Sequence, residues 1–214
     1  MLDRAAAGRT DLRVLDCGCG TGYNLQQLAR YGATFGIDLV VDGLAIAKRA
    51  APPLARADVT RLPFASGGFD LVTSFDVLQC VPGDRQAVRE IARVLKTGGY
   101  FVGTVAALRI LHGDHSILSG EVRRYTRGSL RKLLHSGGLQ PVVTRYAFAS
   151  LFPIMLGLRA LQRLRGARAA GREITMPPAP INVALTALVL GDAALTRWFS
   201  PPFGSSILFL ARKA

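Results

Sequence analysis

The apolar positions of this chain alternate between short continuous runs and runs at helical spacing. Residues 13–17 (RVLDC) form a compact buried-strand pattern that breaks into glycines, and 23–31 (YNLQQLARY) follow with a helical period. Residues 33–39 (ATFGIDL) read as a second strand, and 43–51 as a helix stopped by Pro52 and Pro53. A short third strand is expected over 55–59 and a fourth over 69–75 (FDLVTSF), with a helix over 84–95. The turn Lys96-Thr97-Gly98-Gly99 leads into a fifth strand, 100–105. A helix over 126–136, ended by Gly137-Gly138, precedes a sixth strand near 141–146, and 206–211 (SILFLA) are the last. Strand and helix in alternation predict an α/β fold, a mostly parallel, doubly wound sheet with helices on both faces.

Between the sixth and last strands lie residues that the sheet does not need. Residues 148–168 read as a helix with an apolar start and a basic end, 169–180 as a proline-containing linker, and 181–199 as a second apolar helix. The expected organisation is therefore one domain over 1–147 and 200–214, with a helical insert over 148–199. The insert's basic, apolar first helix (Arg159, Arg163, Arg165 and Arg168 beside Leu156, Leu158, Leu161 and Leu164) suits a lid, a partner face or an anionic membrane surface.

Composition narrows the setting. Half of the 214 residues are hydrophobic and 19% are charged, so a core can be buried and a disordered chain is excluded. The formal charge of +13 favours anionic partners such as nucleic acid, lipid headgroups or phosphorylated compounds, although an arginine-rich composition alone also produces it. Three cysteines, an odd number, make no disulfide framework and fit a reducing cytoplasmic setting, with peripheral membrane contact left open. The N-terminus lacks a signal-peptide pattern, and the most apolar stretch, 181–199, is broken by Asp192 and Arg197.

The chemistry gathers where the strands end. Asp16-Cys17-Gly18-Cys19-Gly20-Thr21-Gly22 joins the first strand to a helix through three alternate glycines. Such loops let backbone pass close to a ligand, but nicotinamide and flavin enzymes use them too. Here the third glycine of the dinucleotide spacing would fall on Tyr23, and the carboxylate of Asp16 suits a cationic ligand where a pyrophosphate would be repelled. Asp38 closes the second strand about twenty residues on, where a carboxylate accepts ribose hydroxyls. Asp58 closes the third and could accept from an adenine amino group, with Val59 and Phe64 beside the ring. Ser74, Phe75 and Asp76 end the fourth. Taken singly, each acid is also what a loop or helix cap would carry.

Residues 13–105 resemble the class I S-adenosylmethionine (SAM)-dependent methyltransferases, in the small-molecule and lipid branch that includes ubiquinone and menaquinone C-methyltransferases. The stretches that carry the likeness are VLDCGCGTG, GIDL, ADVTRLPFASGGFDLVTS and REIARVLKTGGYFVGTV. The resemblance implies a Rossmann-like seven-stranded sheet whose last strand is antiparallel beside the fifth, SAM as cofactor and S-adenosylhomocysteine as product. It makes Gly18, Gly20, Asp38 and Asp58 cofactor contacts with Val59 at the adenine. Asp16, Gly22, Leu39, Ser74 and Phe75 complete the expected set. Residues 120–126 (GEVRRYT) and 202–206 (PFGSS) further resemble a bacterial subgroup with an R-R-Y-T segment. Glu121 and Cys80 stand where relatives often carry histidines. Relatives also begin with a further helix before the first strand, so either the start codon is misassigned or another element covers the cofactor.

The resemblance implies methyl transfer to a small-molecule or lipid-linked acceptor by in-line displacement, with positioning as the main contribution. An oxygen nucleophile would use a base, for which His115 is the first candidate and His112, Asp76 and Glu121 the next. Tyr125 could orient a substrate, and Arg123 and Arg124 could bind its carboxylate or phosphate. His112 and His115, split by Gly113 and Asp114, make no helical metal pair, so no metal is expected. A nucleic-acid methyltransferase is the rival that the charge suggests, but the segment after the fourth strand lacks the N/D-P-P-Y/F pattern of amino-directed DNA enzymes. A nicotinamide oxidoreductase is disfavoured by Asp16, while a catalytically idle SAM-binding scaffold stays compatible with the residues. The acceptor, the methylated atom and the oligomeric state are not encoded in any motif.

Overall fold

The computed structural model describes residues 1–50, 53–164, 178–195 and 200–214. Seven strands form one sheet: β1 (Leu12–Cys17), β2 (Gly32–Asp38), β3 (Leu54–Arg56), β4 (Phe69–Phe75), β5 (Leu95–Ala106), β6 (Leu139–Ala147) and β7 (Ser206–Lys213). Their order is β3-β2-β1-β4-β5-β7-β6. β7 runs antiparallel between β5 and β6, and β1 to β5 run parallel to one another. The chain therefore reverses direction across the sheet at β1/β4, where open α/β sheets form their ligand crevice.

The helices are α1 (Leu2–Ala6), α2 (Tyr23–Leu28), α3 (Val41–Ala47), α4 (Asp84–Val94), α5 (Asp114–Leu118), α6 (Arg127–Ser136), α7 (Leu151–Leu164) and α8 (Ala179–Leu195). Successive strand residues point to opposite faces, so neighbours in sequence enter different cores. Val72 and Phe101 join the large cluster under α4 and α6, with Ile91, Leu130 and Leu134. Leu71 and Val102 join the cluster on the other face, with Ala6 of α1, Leu28 and Tyr31. Burial on both faces explains why β1 and β4 read as continuous apolar runs.

Local chemistry sets the element ends. Thr126 caps α6: its Oγ1 accepts from Ser129 N at 3.1 Å while Ser129 Oγ accepts from Thr126 N at 2.9 Å. The third strand stops at Arg56, two residues before Asp58, because its partner β2 ends at the paired Asp38. The fifth begins at Leu95 and takes in the Lys96–Gly99 turn as an irregular start, with the register slipping between Phe69 and Leu71. α7 and α8 lie between β6 and β7 in the chain, and Arg165, Arg168 and most of the linker lie outside the described residues.

Candidate active site

The glycine loop leaves the buried end of β1 and hangs on β2, with Gly18 N and Cys19 N both donating to Ile37 O, at 2.8 and 2.9 Å. Gly18 has φ +80°, and a Cβ there would collide with the Val77 side chain. Gly22 has φ +83° and lies against α3, where a Cβ would come within 2.9 Å of Ala47 Cβ. Asp38 ties the loop to the strand end: one carboxylate oxygen accepts from Gly20 N and the other from Val40 N, each at 2.8 Å. Each oxygen can accept further bonds.

Beside this loop, at the carboxyl ends of the strands, lies a cavity of about 730 Å³. Six of the residues expected to contact a cofactor line it: Gly18, Asp38, Leu39, Asp58, Val59 and Phe75. Asp16, Gly20, Gly22 and Ser74 do not. Gly20 and Gly22 shape the loop, while Asp16 and Ser74 lie buried behind the wall. Phe64 is also off the wall, packed edge-to-face on Phe69 at 5.1 Å, so its expected place beside a ligand ring is corrected to the core.

The loop that carries Asp58 is held from outside. Arg93 of α4 donates to Phe64 O at 2.7 Å and Leu62 O at 3.0 Å, while Glu90 accepts from Leu62 N at 2.9 Å and from Arg93 through both oxygens. This clasp is bidentate and charge-assisted, which fixes the edge where Asp58 and Val59 stand.

Asp16 is wholly buried and accepts from Thr73 Oγ1 at 2.7 Å. Its second oxygen has no hydrogen-bond partner among the described residues, nor do Ser74 Oγ and Thr104 Oγ1 on the adjoining strands. Burial pushes the Asp16 carboxyl up to about 6, with the Thr73 bond opposing and the Asp38 charge adding. Orphaned buried polar atoms at a strand-end crevice call for a ligand or ordered water. Burial also raises the Cys17 thiol well above its ordinary value and that of Cys19 to about 12, so both stay protonated small residues of the loop.

The far wall comes from the chain after β4, a segment the sequence marked only at Asp76 and Cys80. Asp76 takes φ +58°, rare outside glycine but tolerated by aspartate, and is exposed to the cavity. The tight turn Leu78–Cys80 then brings Val81, Pro82 and Gln86 to the wall. Asp76 and Cys80 also line a second cavity of about 310 Å³, together with Glu121, Arg124, Met155 of α7 and Ser206. The non-glycine left-handed residue thus stands where the two cavities meet, and strained backbone of this kind gathers at functional sites.

Tyr125 lines neither cavity: its hydroxyl, a single donor, lies 2.9 Å from Asp84 Oδ2 and 3.2 Å from Leu78 O, and the residue is 3% exposed. Its expected role in orienting a substrate is replaced by that of a buried strut. Arg123 pairs with Asp84 at 2.6 Å and with Pro82 O at 2.7 Å. Arg124 donates to both oxygens of Glu121, to Ser116 Oγ and to Ala107 O. Both arginines expected to hold an anionic substrate are thus committed inside the protein. His115 belongs to α5, and its side chain lies outside the described residues. His112 lines neither cavity. Among the described residues no three His, Cys, Asp or Glu side chains converge as a metal site would require.

Residues 15–103 match the family model described as a methyltransferase domain. The chain is 31% identical over 166 residues to the ubiquinone biosynthesis O-methyltransferase of Albidiferax ferrireducens, covering 63% of this chain and 66% of that protein. It is 38% identical over 104 residues to the fatty-acid O-methyltransferase of Mycolicibacterium smegmatis, covering 45% of this chain and 38% of that protein. Such matches span two thirds or less of the relatives' own lengths. In fold, an S-adenosylmethionine-dependent methyltransferase from Mesorhizobium loti superposes with a TM-score of 0.63 at 20% identity, covering 98% of this chain and 95% of that one. Residues 15–103 are thus similar to a methyltransferase domain, and the sheet has the fold of an S-adenosylmethionine-dependent methyltransferase.

Proposed function

We propose that this chain transfers a methyl group from SAM to a small-molecule or lipid-linked acceptor. The observation that carries the reading is the acidic strand-end cavity, with Asp38 and Asp58 in one wall, that meets a second cavity at Asp76. A volume of about 730 Å³ lies within the range of ligand pockets, and the wall mixes carboxylates with apolar Leu39, Val59 and Phe75. A pocket of this chemistry fits a cationic nucleoside better than a phosphorylated one.

Bound there, SAM supplies a methyl group on a positively charged sulfur. Asp38 would hold the ribose hydroxyls, and Asp58 and Val59 the adenine edge. Leu39 and Phe75 pack the cavity, while Gly18 keeps the loop low and Asp16 sets a negative charge behind it. Ser74 serves as strand-end support. The chain's contribution is to fix the two reactants and exclude water. His115 is retained as the candidate base on residue type alone. The names of the two relatives, one acting in quinone biosynthesis and one on fatty acids, support a small or lipid-like acceptor.

Titration calorimetry with S-adenosylhomocysteine tests the cofactor half. Saturable binding of one molecule per chain is expected, in roughly the micromolar range. No heat and no thermal shift at millimolar ligand would sink the reading, whereas binding without any acceptor mass gain would favour the idle scaffold.

The reading extends to the insert as a lid with a membrane-facing side. Met155 of α7 is a wall of the smaller cavity, so this helix borders the acceptor side. Ile154, Leu158 and Leu161 of α7 and Ile181, Val183 and Leu190 of α8 are all at least 42% exposed. Apolar patches of this kind mark interaction surfaces, and a net charge of +13 favours anionic lipid over neutral lipid. Among the described residues no helix is long and apolar enough to cross a membrane. The protein should co-float with phosphatidylglycerol vesicles at low salt and be released at high salt. Failure to float at low salt rejects the membrane side.

A further inference from the structure

The smaller cavity has an unusual charge pattern for an acceptor chamber. Glu121 and Arg124 line it as a buried ion pair, their side chains 8% and 5% exposed. Arg124 gives Nε to one Glu121 oxygen at 2.9 Å and Nη2 to the other at 3.2 Å. Its remaining bonds go to Ser116 Oγ at 3.0 Å and Ala107 O at 3.1 Å. The one guanidinium among the described lining residues is therefore neutralised and its fork is turned toward protein acceptors.

Asp76 is left as the excess charge. Its carboxylate accepts only a long bond, 3.3 Å, from Gln79 Nε2, and it opens on both cavities. Counting Asp76, Glu121 and Arg124, the described lining carries one negative charge in excess. The Cys80 thiol registers the same field, pushed up first by burial and then by the Glu121 and Asp76 charges. The rest of the wall is uncharged, with Ser119, Ser205 and Ser206 beside the apolar Ala106 and Met155. A carboxylate or phosphate head would meet like charge in a partly desolvated chamber, where such repulsion is little screened. An ammonium head would lie next to the cofactor's own positive sulfur, with only one carboxylate in excess to balance both.

We infer that this chamber selects a methyl acceptor with a neutral, hydroxyl-bearing head, an alcohol or phenol, and rejects carboxylates, phosphates and ammonium groups. The inference rests on the larger cavity being the SAM site. Asp76 accepts the hydroxyl's hydrogen bond at the junction, and Glu121 is a specificity residue because it cancels Arg124. Of the reactions named for the two relatives, the chamber's charge suits methylation of a hydroxyl and disfavours that of a fatty-acid carboxylate.

The test uses three probes of one shape, 4-butylphenol, 4-butylbenzoate and 4-butylbenzylamine, titrated into the full chain with and without saturating S-adenosylhomocysteine. The phenol should bind at least about tenfold more tightly than either charged probe, a difference of about 1.4 kcal/mol. Glu121→Gln frees Arg124 of its partner and brings the described lining to zero net charge, and should bring the benzoate to within a few-fold of the phenol. Asp76→Asn should move the ratio the same way, which covers the case in which Glu121→Gln does not fold. Ser206→Leu should fill the chamber and abolish phenol binding while S-adenosylhomocysteine affinity stays unchanged. Benzoate or benzylamine binding as tightly as phenol overturns the inference, as does a phenol-to-benzoate ratio unmoved in the folded variants. Undetectable binding of all three probes overturns it too. Loss of S-adenosylhomocysteine binding alone counts against the cofactor reading, since the probe ratio is also measured without it.

Discussion

Asp38→Ala is expected to weaken S-adenosylhomocysteine binding by about 100-fold while lowering the melting temperature by only a few degrees. Two hydroxyl-to-carboxylate bonds are at stake, each worth about 1.5–3 kcal/mol when one partner is charged. Their loss removes at least about 3 kcal/mol, or roughly two decades in Kd. The carboxylate also holds Gly20 N and Val40 N, so part of the effect comes through the loop. That tie lies at a part-buried site and contributes about 1 kcal/mol to stability, a shift of about 2–4 °C for a chain of this size. Calorimetry beside a thermal melt separates the two effects. An affinity within threefold of wild type would remove Asp38 from the cofactor site.

Asp16→Asn has the opposite sign on stability. An acid whose folded-state pKa is raised from 3.8 to about 6 binds its proton more tightly when folded. Its destabilising effect is absent well below pH 4, grows as pH rises through the interval and is complete above about 6. Removing the charge should stabilise the ligand-free protein at pH 7 by up to about 3 kcal/mol, with no such gain at pH 3.5. Asparagine keeps an oxygen for the Thr73 bond. The variant should nevertheless bind the cationic SAM at least about tenfold more weakly, because a negative charge behind the loop is gone. In the wild type, SAM affinity should fall as pH drops below about 6. A variant less stable than wild type at pH 7, with unchanged SAM affinity, would show that Asp16 is merely structural.

The part of the site legible in the sequence is the part made by local rules. A glycine loop after a strand, and acids at the ends of β2 and β4, follow from short patterns, and Asp38, Asp58 and Phe75 do line the cavity. What the sequence misplaced depends on partners far along the chain. The third strand ends at Arg56 because β2 has no more residues to pair with it, which no pattern within 55–59 could reveal. Tyr125 looks like a substrate group until Asp84, 41 positions away, takes its hydroxyl. Arg123 shares that acid, whereas the pairing of Arg124 with Glu121 at i,i+3 spacing was open to inspection. Cys80 and Glu121, noted separately as departures from relatives, meet in one chamber only because the turn after β4 packs against the segment before α6. The wall formed by Val81, Pro82 and Gln86 carries no reactive residue type, so chemistry-led reading passes over it.

The antiparallel placement of β7 has a consequence for how such a protein can change. Ser206 is level with Ala147 on β6 and with Ala106 on β5, so the chain leaves the sheet and re-enters it one strand apart. Everything between those points is topologically a hairpin loop, and the entropy of closing a loop grows only slowly with its length. The segment can therefore be lengthened, shortened or exchanged for another without altering the register of any strand. Met155 alone of the insert helices' described residues reaches the smaller cavity, so on the proposed reading such an exchange would reshape one wall of the acceptor chamber and leave Asp76, Glu121 and Arg124 in place.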